Sequence, residues 1–229
     1  MNSFASPQTL TALPISLQKD DLYTRLFDAI LEQRIHAQSR FTEESLAQMF
    51  GARRSDIRGV LTRLSHQQII VLKPNHRPRV ASLDREQTRQ TLHARRLTET
   101  TLVQLACKRR CQQDWKPLRT LVEKERRCTE QAPAIRLSGD FHLQLAEMAG
   151  NAPLAHFLNS LVPLTALAIA QSDARLEGYC DWQVHEGILD AIERGDALNA
   201  ERLLTGHLDF LENTLLNSPP KSSKNRVAS

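Results

Sequence analysis

The N-terminal part of the chain repeats apolar positions with the period of a helix and ends in a segment rich in β-branched residues. The third helical stretch carries Ile57, Val60, Leu61 and Leu64 on one face, which predicts an amphipathic helix packed on a core. After it, the segment IIVLKPNHRPRVASL has β-branched residues on both sides of a turn near Asn75, which indicates a two-stranded hairpin. The predicted helices cover residues 19–33, 43–50 and 54–66. Three helices followed by a hairpin are the layout of a winged helix-turn-helix.

From about residue 84 the helical period continues with only short interruptions, such as GNAP at 150–153 and GD at 195–196. Two helices are expected between residues 85 and 131, with a break near 114–117. Further helices are expected over 136–150, 152–171, 180–194 and 197–216. The predicted fold class is therefore mainly α, with an N-terminal winged helix-turn-helix and a C-terminal all-helical bundle of about six helices. The predicted parts are a flexible leader (1–18), the winged domain (19–83), the helical domain (84–216) and a disordered tail (217–229).

Composition places the chain among ordinary globular proteins and changes little in this picture. Hydrophobic residues make up 41% and charged residues 24% of the 229 positions. No apolar run approaches the roughly 18 residues that span a bilayer, and residues 1–17 lack the basic start and apolar block of a signal peptide. We therefore expect a cytoplasmic protein without a membrane partner.

The charge distribution indicates a function for the predicted winged domain. Residues 53–79 hold seven Arg and Lys residues and a single Asp, a net charge of +6, whereas the whole chain carries +4. The helix over 54–66 would present Arg53, Arg54 and Arg58 opposite its apolar stripe, where they could meet phosphates or guanine in the major groove of double-stranded DNA. The alternative is a solvated surface helix that happens to be rich in arginine. The hairpin would add a second basic contact from Lys73, His76, Arg77 and Arg79.

Three histidines of the predicted bundle share an inward orientation. His142, His185 and His207 each have apolar neighbours three and four residues away, so each imidazole faces the apolar side of its own helix. A single histidine in such a position is more often a satisfied core residue than a ligand. Three on different helices of one bundle could instead form the first shell of a divalent transition metal.

The chain resembles the GntR family of bacterial transcription regulators, in the FadR subfamily with an FCD-type C-terminal domain. The resemblance covers about residues 20–216. It rests on ESLAQMFGARRSDIRGVLTRLSHQQIIVLKPNHRPRVASL in the winged domain, and on ARRLTET and SGDFHLQLAEMAGN in the helical domain. It implies a homodimer that binds a palindromic operator and whose affinity for DNA changes with a small carboxylic acid.

The resemblance also implies roles for individual positions. The residues predicted to bind DNA are Arg53, Arg54, Ser55, Arg58, Asn75, His76 and Arg77. Of these, Arg54 and Arg58 match the family's DNA-contacting arginines, whereas Arg53 stands where a small polar residue is usual. Arg95 matches an arginine that faces the effector. His142, His185 and His207 match metal ligands, with zinc as the first expectation and nickel as another. Many members carry Asp four residues before the first of these histidines, where this chain has Ser138, and Asp140 does not share the histidine's face.

Two other functions remain open at this point. The first is a DNA-binding regulator whose bundle is structural and metal-free, with the histidines serving as core residues. The second is a three-histidine metalloenzyme, since three histidines and an open position resemble a catalytic zinc site. Against the enzyme, Glu147 and Glu186 are near the histidines in sequence but lie off the histidine face, so no general base is apparent. We expect a regulator and not an enzyme.

Overall fold

The computed structural model describes residues 15–172 and 182–217, with side chains from residue 21 onward. The predicted leader lies outside the described residues up to residue 14, and of the predicted tail only Asn217 is described. The helices are α1 (Ile15–Leu31), α2 (Glu43–Phe50), α3 (Arg54–His66), α4 (Arg85–Lys108), α5 (Lys116–Arg127), α6 (Gln131–Met148), α7 (Ala152–Gln171), α8 (Trp182–Arg194) and α9 (Ala197–Asn217). Strands β1 (Ile70–Val71) and β2 (Arg79–Val80) form an antiparallel pair. The predicted fold class is confirmed.

The helix-turn-helix is defined by its caps. Thr42 accepts a hydrogen bond from the backbone N–H of Ser45, and the Ser45 hydroxyl accepts one from the backbone N–H of Thr42, so a capping box fixes the start of α2. Gly51 ends α2 at φ 61°, a left-handed conformation that glycine adopts without steric cost. The predicted apolar stripe of α3 is buried, because this turn directs it against α1 and α2.

The hairpin forms the wing. Ile70 pairs with Val80 and Val71 with Arg79, with Ile70 and Val80 facing the core. Asn75 has φ 59° in the turn, and asparagine tolerates this left-handed backbone better than most residues. The turn therefore lies at Asn75, as predicted, and residues 71–77 are exposed.

In the C-terminal domain α4 is the central helix, in contact with α6, α7, α8 and α9. The sequence places the start of α6 at residue 136, but α6 begins at Gln131. The reason is Pro133, which lies in the first turn of the helix. A proline there removes no intrahelical hydrogen bond, so it does not mark a helix boundary.

The expectation that no segment could span a membrane is wrong for α7. By length and composition, α7 is the one helix of the described residues that could cross a bilayer. Of its most apolar window, however, 61% is buried within the protein, and the core helix of a globular domain passes the same test. Its neighbours α1, α4 and α6 cover it, so its apolar composition is accounted for by packing.

The two domains share part of one hydrophobic core. Leu26 and Ile30 of α1 belong to the same buried cluster as Leu164 and Leu167 of α7. Beside this cluster, Arg136 Nε of α6 donates a hydrogen bond of 2.7 Å to Asp28 Oδ1 of α1, with both side chains mostly buried. The winged domain is thus docked on the helix that also carries His142.

Candidate metal centre and nucleic-acid interface

The three predicted histidines converge in the bundle. His142 of α6, His185 of α8 and His207 of α9 are buried, with ring centroids 5.0 to 5.4 Å apart. One ring nitrogen from each lies within 4.8 Å of those of the other two. Within the described residues this is the group of His, Cys, Asp and Glu side chains positioned to hold a metal ion. Helical spacing could predict that each ring faces inward, but only the packing of α6, α8 and α9 places the rings together.

A buried carboxylate from α4 lies behind His142. Glu99 Oε2 is 2.6 Å from His142 Nδ1, close enough for an ionic contact although the angle is not that of a hydrogen bond. On its other side Glu99 forms an ion pair with Arg95, one turn earlier on α4. Burial would raise the pKa of Glu99, but the adjacent Arg95 and His142 outweigh it and hold this pKa well below its usual range. Glu99 is therefore a carboxylate that favours a proton on Nδ1 of His142.

A second carboxylate, from α5, lies behind His185. Glu125 Oε2 accepts a hydrogen bond of 2.7 Å from His185 Nδ1, and both side chains are almost fully buried. A carboxylate at Nδ1 fixes the tautomer with the proton on that nitrogen and leaves the lone pair on Nε2. The same pairing of histidine and carboxylate thus occurs twice in the cluster.

The remaining nitrogens of these two rings test whether a metal fits. Among the described residues, neither His142 Nε2 nor His185 Nε2 has a hydrogen-bond partner, although both atoms are buried. Buried polar atoms are normally paired, so two such nitrogens at one centre call for a ligand. Burial also lowers the pKa of His142 and of His207, which keeps both rings in the neutral form that binds metals. The residues present therefore fit a divalent transition metal.

The structure also locates the other residues that the sequence associates with this centre. Arg95 is buried, with 2% of its surface exposed, and its guanidinium is held by Glu99. Ser138 is buried on α6, one turn before His142. Asp140 instead faces Arg136, with 3.4 Å between Asp140 Oδ2 and Arg136 Nη1, and takes no part in the histidine cluster.

Neither carboxylate of the centre was predicted from the sequence. Asp140, Glu147 and Glu186 are close to the histidines in sequence, whereas Glu99 and Glu125 reach the cluster from other helices. A signal did exist for Glu125, which continues the buried stripe of Leu118 and Val122 on α5. An acidic residue at such a position requires a buried partner.

The second candidate site is the basic surface of α3 and the wing. The side chains of Arg53, Arg54 and Arg58 are 88%, 62% and 64% exposed, as expected for a surface that binds DNA. Ser55 lies beside them in the first turn of α3 and is also exposed. On the wing Asn75, His76 and Arg77 are exposed, and His76 Nδ1 lies 2.8 Å from the carbonyl oxygen of Pro74.

Arg54 and Arg58 of α3 share one partner that was not predicted from the sequence. Glu43, the first residue of α2, accepts hydrogen bonds from Arg54 Nε at 3.0 Å and from Arg58 Nε and Nη2 at 2.9 and 2.8 Å. These bonds lower the pKa of Glu43 to about 2, with the bond from Arg58 as the largest cause. The carboxylate is therefore charged at any physiological pH.

Known proteins that resemble this chain also combine a winged helix-turn-helix with a helical C-terminal domain. The FCD domain family model matches residues 90–210, more than half of the chain. E. coli McbR/YncC has a similar structure, with a TM-score of 0.69 at 17% sequence identity over 86% of this chain and 96% of that one. A GntR transcriptional regulator from Rhodococcus sp. RHA1 gives a TM-score of 0.68 at 19% identity over 87% of this chain and 98% of the other. No curated protein matches the sequence.

The chain belongs to the GntR family of transcription regulators, in the branch with an FCD domain. The predicted family is confirmed. Regulators of this family are not enzymes, which agrees with the expected function. At identities below 20%, the likeness to solved structures concerns the fold, so the roles of individual residues rest on their own geometry.

Proposed function

We propose that this protein is a ligand-responsive transcription regulator that binds a palindromic operator as a homodimer and responds to a small carboxylic acid. In this proposal residues 19–83 bind DNA, residues 84–216 bind the effector and the second subunit, and the protein acts in the cytoplasm. The observation that carries it is the pair of buried, unpartnered Nε2 atoms of His142 and His185, each backed by a carboxylate. In a purely structural core, these two buried nitrogens would be expected to have hydrogen-bond partners within the protein.

His142, His185 and His207 would hold a divalent transition metal, with zinc the first choice for three imidazoles and nickel the second. When bound, the metal supplies a positive charge and an open coordination position. Glu99 and Glu125 would orient two of the rings and raise the basicity of their Nε2 atoms. Ser138 replaces the acidic ligand that the family resemblance implies, so the fourth position is left to water or an effector.

The charge of the site favours an anionic effector. Arg95, Glu99 and Glu125 together carry a formal charge of −1, and a divalent ion would change it to +1. A monocarboxylate would then bring the buried site to neutrality, which low-dielectric surroundings favour. Because Glu99 already binds Arg95, an effector carboxylate would have to share this arginine, so Arg95 would contribute less than an unpaired guanidinium.

Helix α6 would connect the effector site to the DNA-binding domain. It carries His142 toward the metal centre and Arg136 toward Asp28 of α1, less than two turns apart. A shift of α6 on effector binding would therefore move α1, which packs on the recognition helix α3. Couplings of this kind are typically about 1–3 kcal/mol, so a change in DNA affinity of roughly 5- to 150-fold is expected.

The experiment is a thermal-shift screen of the purified protein against small carboxylic acids, with and without prior chelation. A ligand at 100 times its dissociation constant adds about 2.7 kcal/mol to the free energy of unfolding. For a chain of this size that corresponds to several degrees. A shift that vanishes after chelation and changes the affinity for a palindrome selected from random duplexes supports the proposal.

The second candidate function is a regulator with a structural, metal-free bundle. It is favoured by the close packing of the three histidine rings with each other and with Phe141, which lies 4.3 Å from His185 between ring centroids. It predicts a protein purified without metal, with no acid-induced thermal shift and unchanged DNA binding after chelation.

A further inference from the structure

The carboxylate of Glu43 binds Arg54 and Arg58 at the same time. It stands at the first position of α2, and the capping box of Thr42 and Ser45 fixes the backbone beside it. Its side chain is 22% exposed, whereas those of Arg54 and Arg58 are more than 60% exposed. A mostly buried carboxylate therefore binds two exposed guanidinium groups.

The bonds to Glu43 leave particular donors free. Arg58 uses Nε and Nη2 for the carboxylate, so Nη1 and the second hydrogen of Nη2 point away from it. Arg54 uses only Nε, so both of its terminal nitrogens remain available. Each arginine thus presents the outer end of its planar fork, the arrangement that can bind guanine O6 and N7 together.

We propose that Glu43 is a specificity-determining residue that holds Arg54 and Arg58 in the orientation that reads bases and keeps them from moving to the phosphate backbone. This inference rests on the proposed DNA-binding function. An arginine without a partner would bind any phosphate nearly as favourably as a guanine, and a phosphate carries no sequence information. With Glu43 in place, its negative charge weakens the contacts of the two arginines with phosphates. The contacts with correctly placed guanines keep their strength, because the arginine side chains are already held in one conformation.

A different role for Glu43 would be simple competition with DNA. In that case the carboxylate would mimic a phosphate and would weaken binding to every sequence to the same extent. Both roles predict that loss of the charge increases non-specific binding. They differ in the affinity for the preferred sequence, which falls if Glu43 positions the arginines and rises if it competes.

The test begins with selection of a preferred sequence from random duplex DNA by the full-length wild-type protein. Dissociation constants for the selected duplex and for a scrambled duplex are then measured over a range of salt concentrations for the wild type, Glu43→Gln, Glu44→Gln and Arg58→Ala. Glu44 is the matched control because it is an exposed neighbour in the same helical turn, and none of the described hydrogen bonds or ion pairs joins it to an arginine. Thermal melting of each variant verifies the fold.

For Glu43→Gln we expect affinity for the selected duplex to fall about 10- to 100-fold, since each well-placed bidentate arginine contact discriminates between bases by a factor of about this size. Affinity for the scrambled duplex should stay equal or rise. Glu44→Gln should change both affinities by the same small factor and leave their ratio unchanged. Arg58→Ala should lower the ratio and leave the salt dependence nearly unchanged, because in this proposal Arg58 contacts a base and not a phosphate.

An unchanged ratio of the two affinities in Glu43→Gln would overturn the proposal, whether both affinities rise by the same factor or both fall by the same factor with a lowered melting temperature. Failure of the underlying function looks different. In that case the wild-type protein enriches no sequence at all, before any variant is compared.

Discussion

The carboxylate behind His185 offers a direct test of the metal centre. In Glu125→Gln the amide keeps the volume of the side chain and an oxygen that accepts the hydrogen bond from His185 Nδ1. What disappears is the negative charge, which in carboxylate–histidine–metal arrangements raises the basicity of the ligand. Loss of such a group typically weakens metal binding 10- to 100-fold.

The stability of the metal-free protein should change little in this variant. A hydrogen bond to a charged group contributes about 1 kcal/mol more than one to a neutral group, but removal of a charge from a site that is only 3% exposed offsets this loss. We expect a difference of at most about 1 kcal/mol in the free energy of unfolding. For a chain of 229 residues this is roughly 2–4 °C in Tm.

The effect should appear when zinc is added. At a concentration 100 times the wild-type Kd, zinc stabilises the wild type by about 2.7 kcal/mol. With Kd raised 10- to 100-fold, the same concentration stabilises Glu125→Gln by only about 1.4 to 0.4 kcal/mol. The zinc-induced rise in Tm should therefore fall from roughly 5–11 °C to roughly 1–6 °C.

Differential scanning fluorimetry of chelated and zinc-loaded protein measures the shift, and competition with a chelating dye measures Kd. Glu123→Gln is the matched control because Glu123 lies on the same helix but pairs with Arg127 at the surface. The reasoning is refuted if Glu125→Gln destabilises the metal-free protein by many degrees while zinc affinity stays within threefold of wild type. That outcome would make Glu125 a structural partner of His185.

Two other substitutions test neighbouring parts of the structure. Ser138→Asp adds a carboxylate one turn before His142, so calorimetry should show tighter zinc binding, while the metal-free protein should lose stability because it buries an unpaired charge; weaker zinc binding would exclude this position from the ligand set. Asp28→Asn removes the charge that faces Arg136 between the domains, and we expect a loss of about 1–3 kcal/mol, or roughly 2–12 °C in Tm. In this variant the effect of an acid on operator affinity should shrink, as fluorescence anisotropy would show, and full retention of that effect would exclude this contact as the connection.

The N-terminal fold follows closely from local patterns. The stripe from Ile57 to Leu64 and the turn at Asn75 are each encoded within a few residues, and the structure contains them as predicted. Helix α7 also matches its predicted limits, because Asn151 caps it and Pro153 suits its first turn. Short-range chemistry was sufficient for these elements.

Contacts between segments that are distant in sequence could not be predicted in the same way. The inward orientation of His142 follows from its neighbours, but its contact with Glu99 depends on how α4 crosses α6. The link from Glu43 to Arg58 spans fifteen residues and a helix-turn-helix angle. No periodicity in a single sequence encodes such distances, so the supporting carboxylates of both sites emerged only from the folded arrangement.

The shared core between the winged domain and the bundle makes the boundary near residues 83–84 a poor place to divide the protein. Gln171 at the end of α7 hydrogen-bonds the backbone of Ala81 and Leu83, and Leu164 and Leu167 lie against α1. Separated halves would each expose an apolar surface that is buried in the whole. We therefore expect a single cooperative melting transition for the intact chain and aggregation of an excised bundle. Exchange of winged domains between such regulators would succeed only if the facing residues of α1 and α7 were exchanged together.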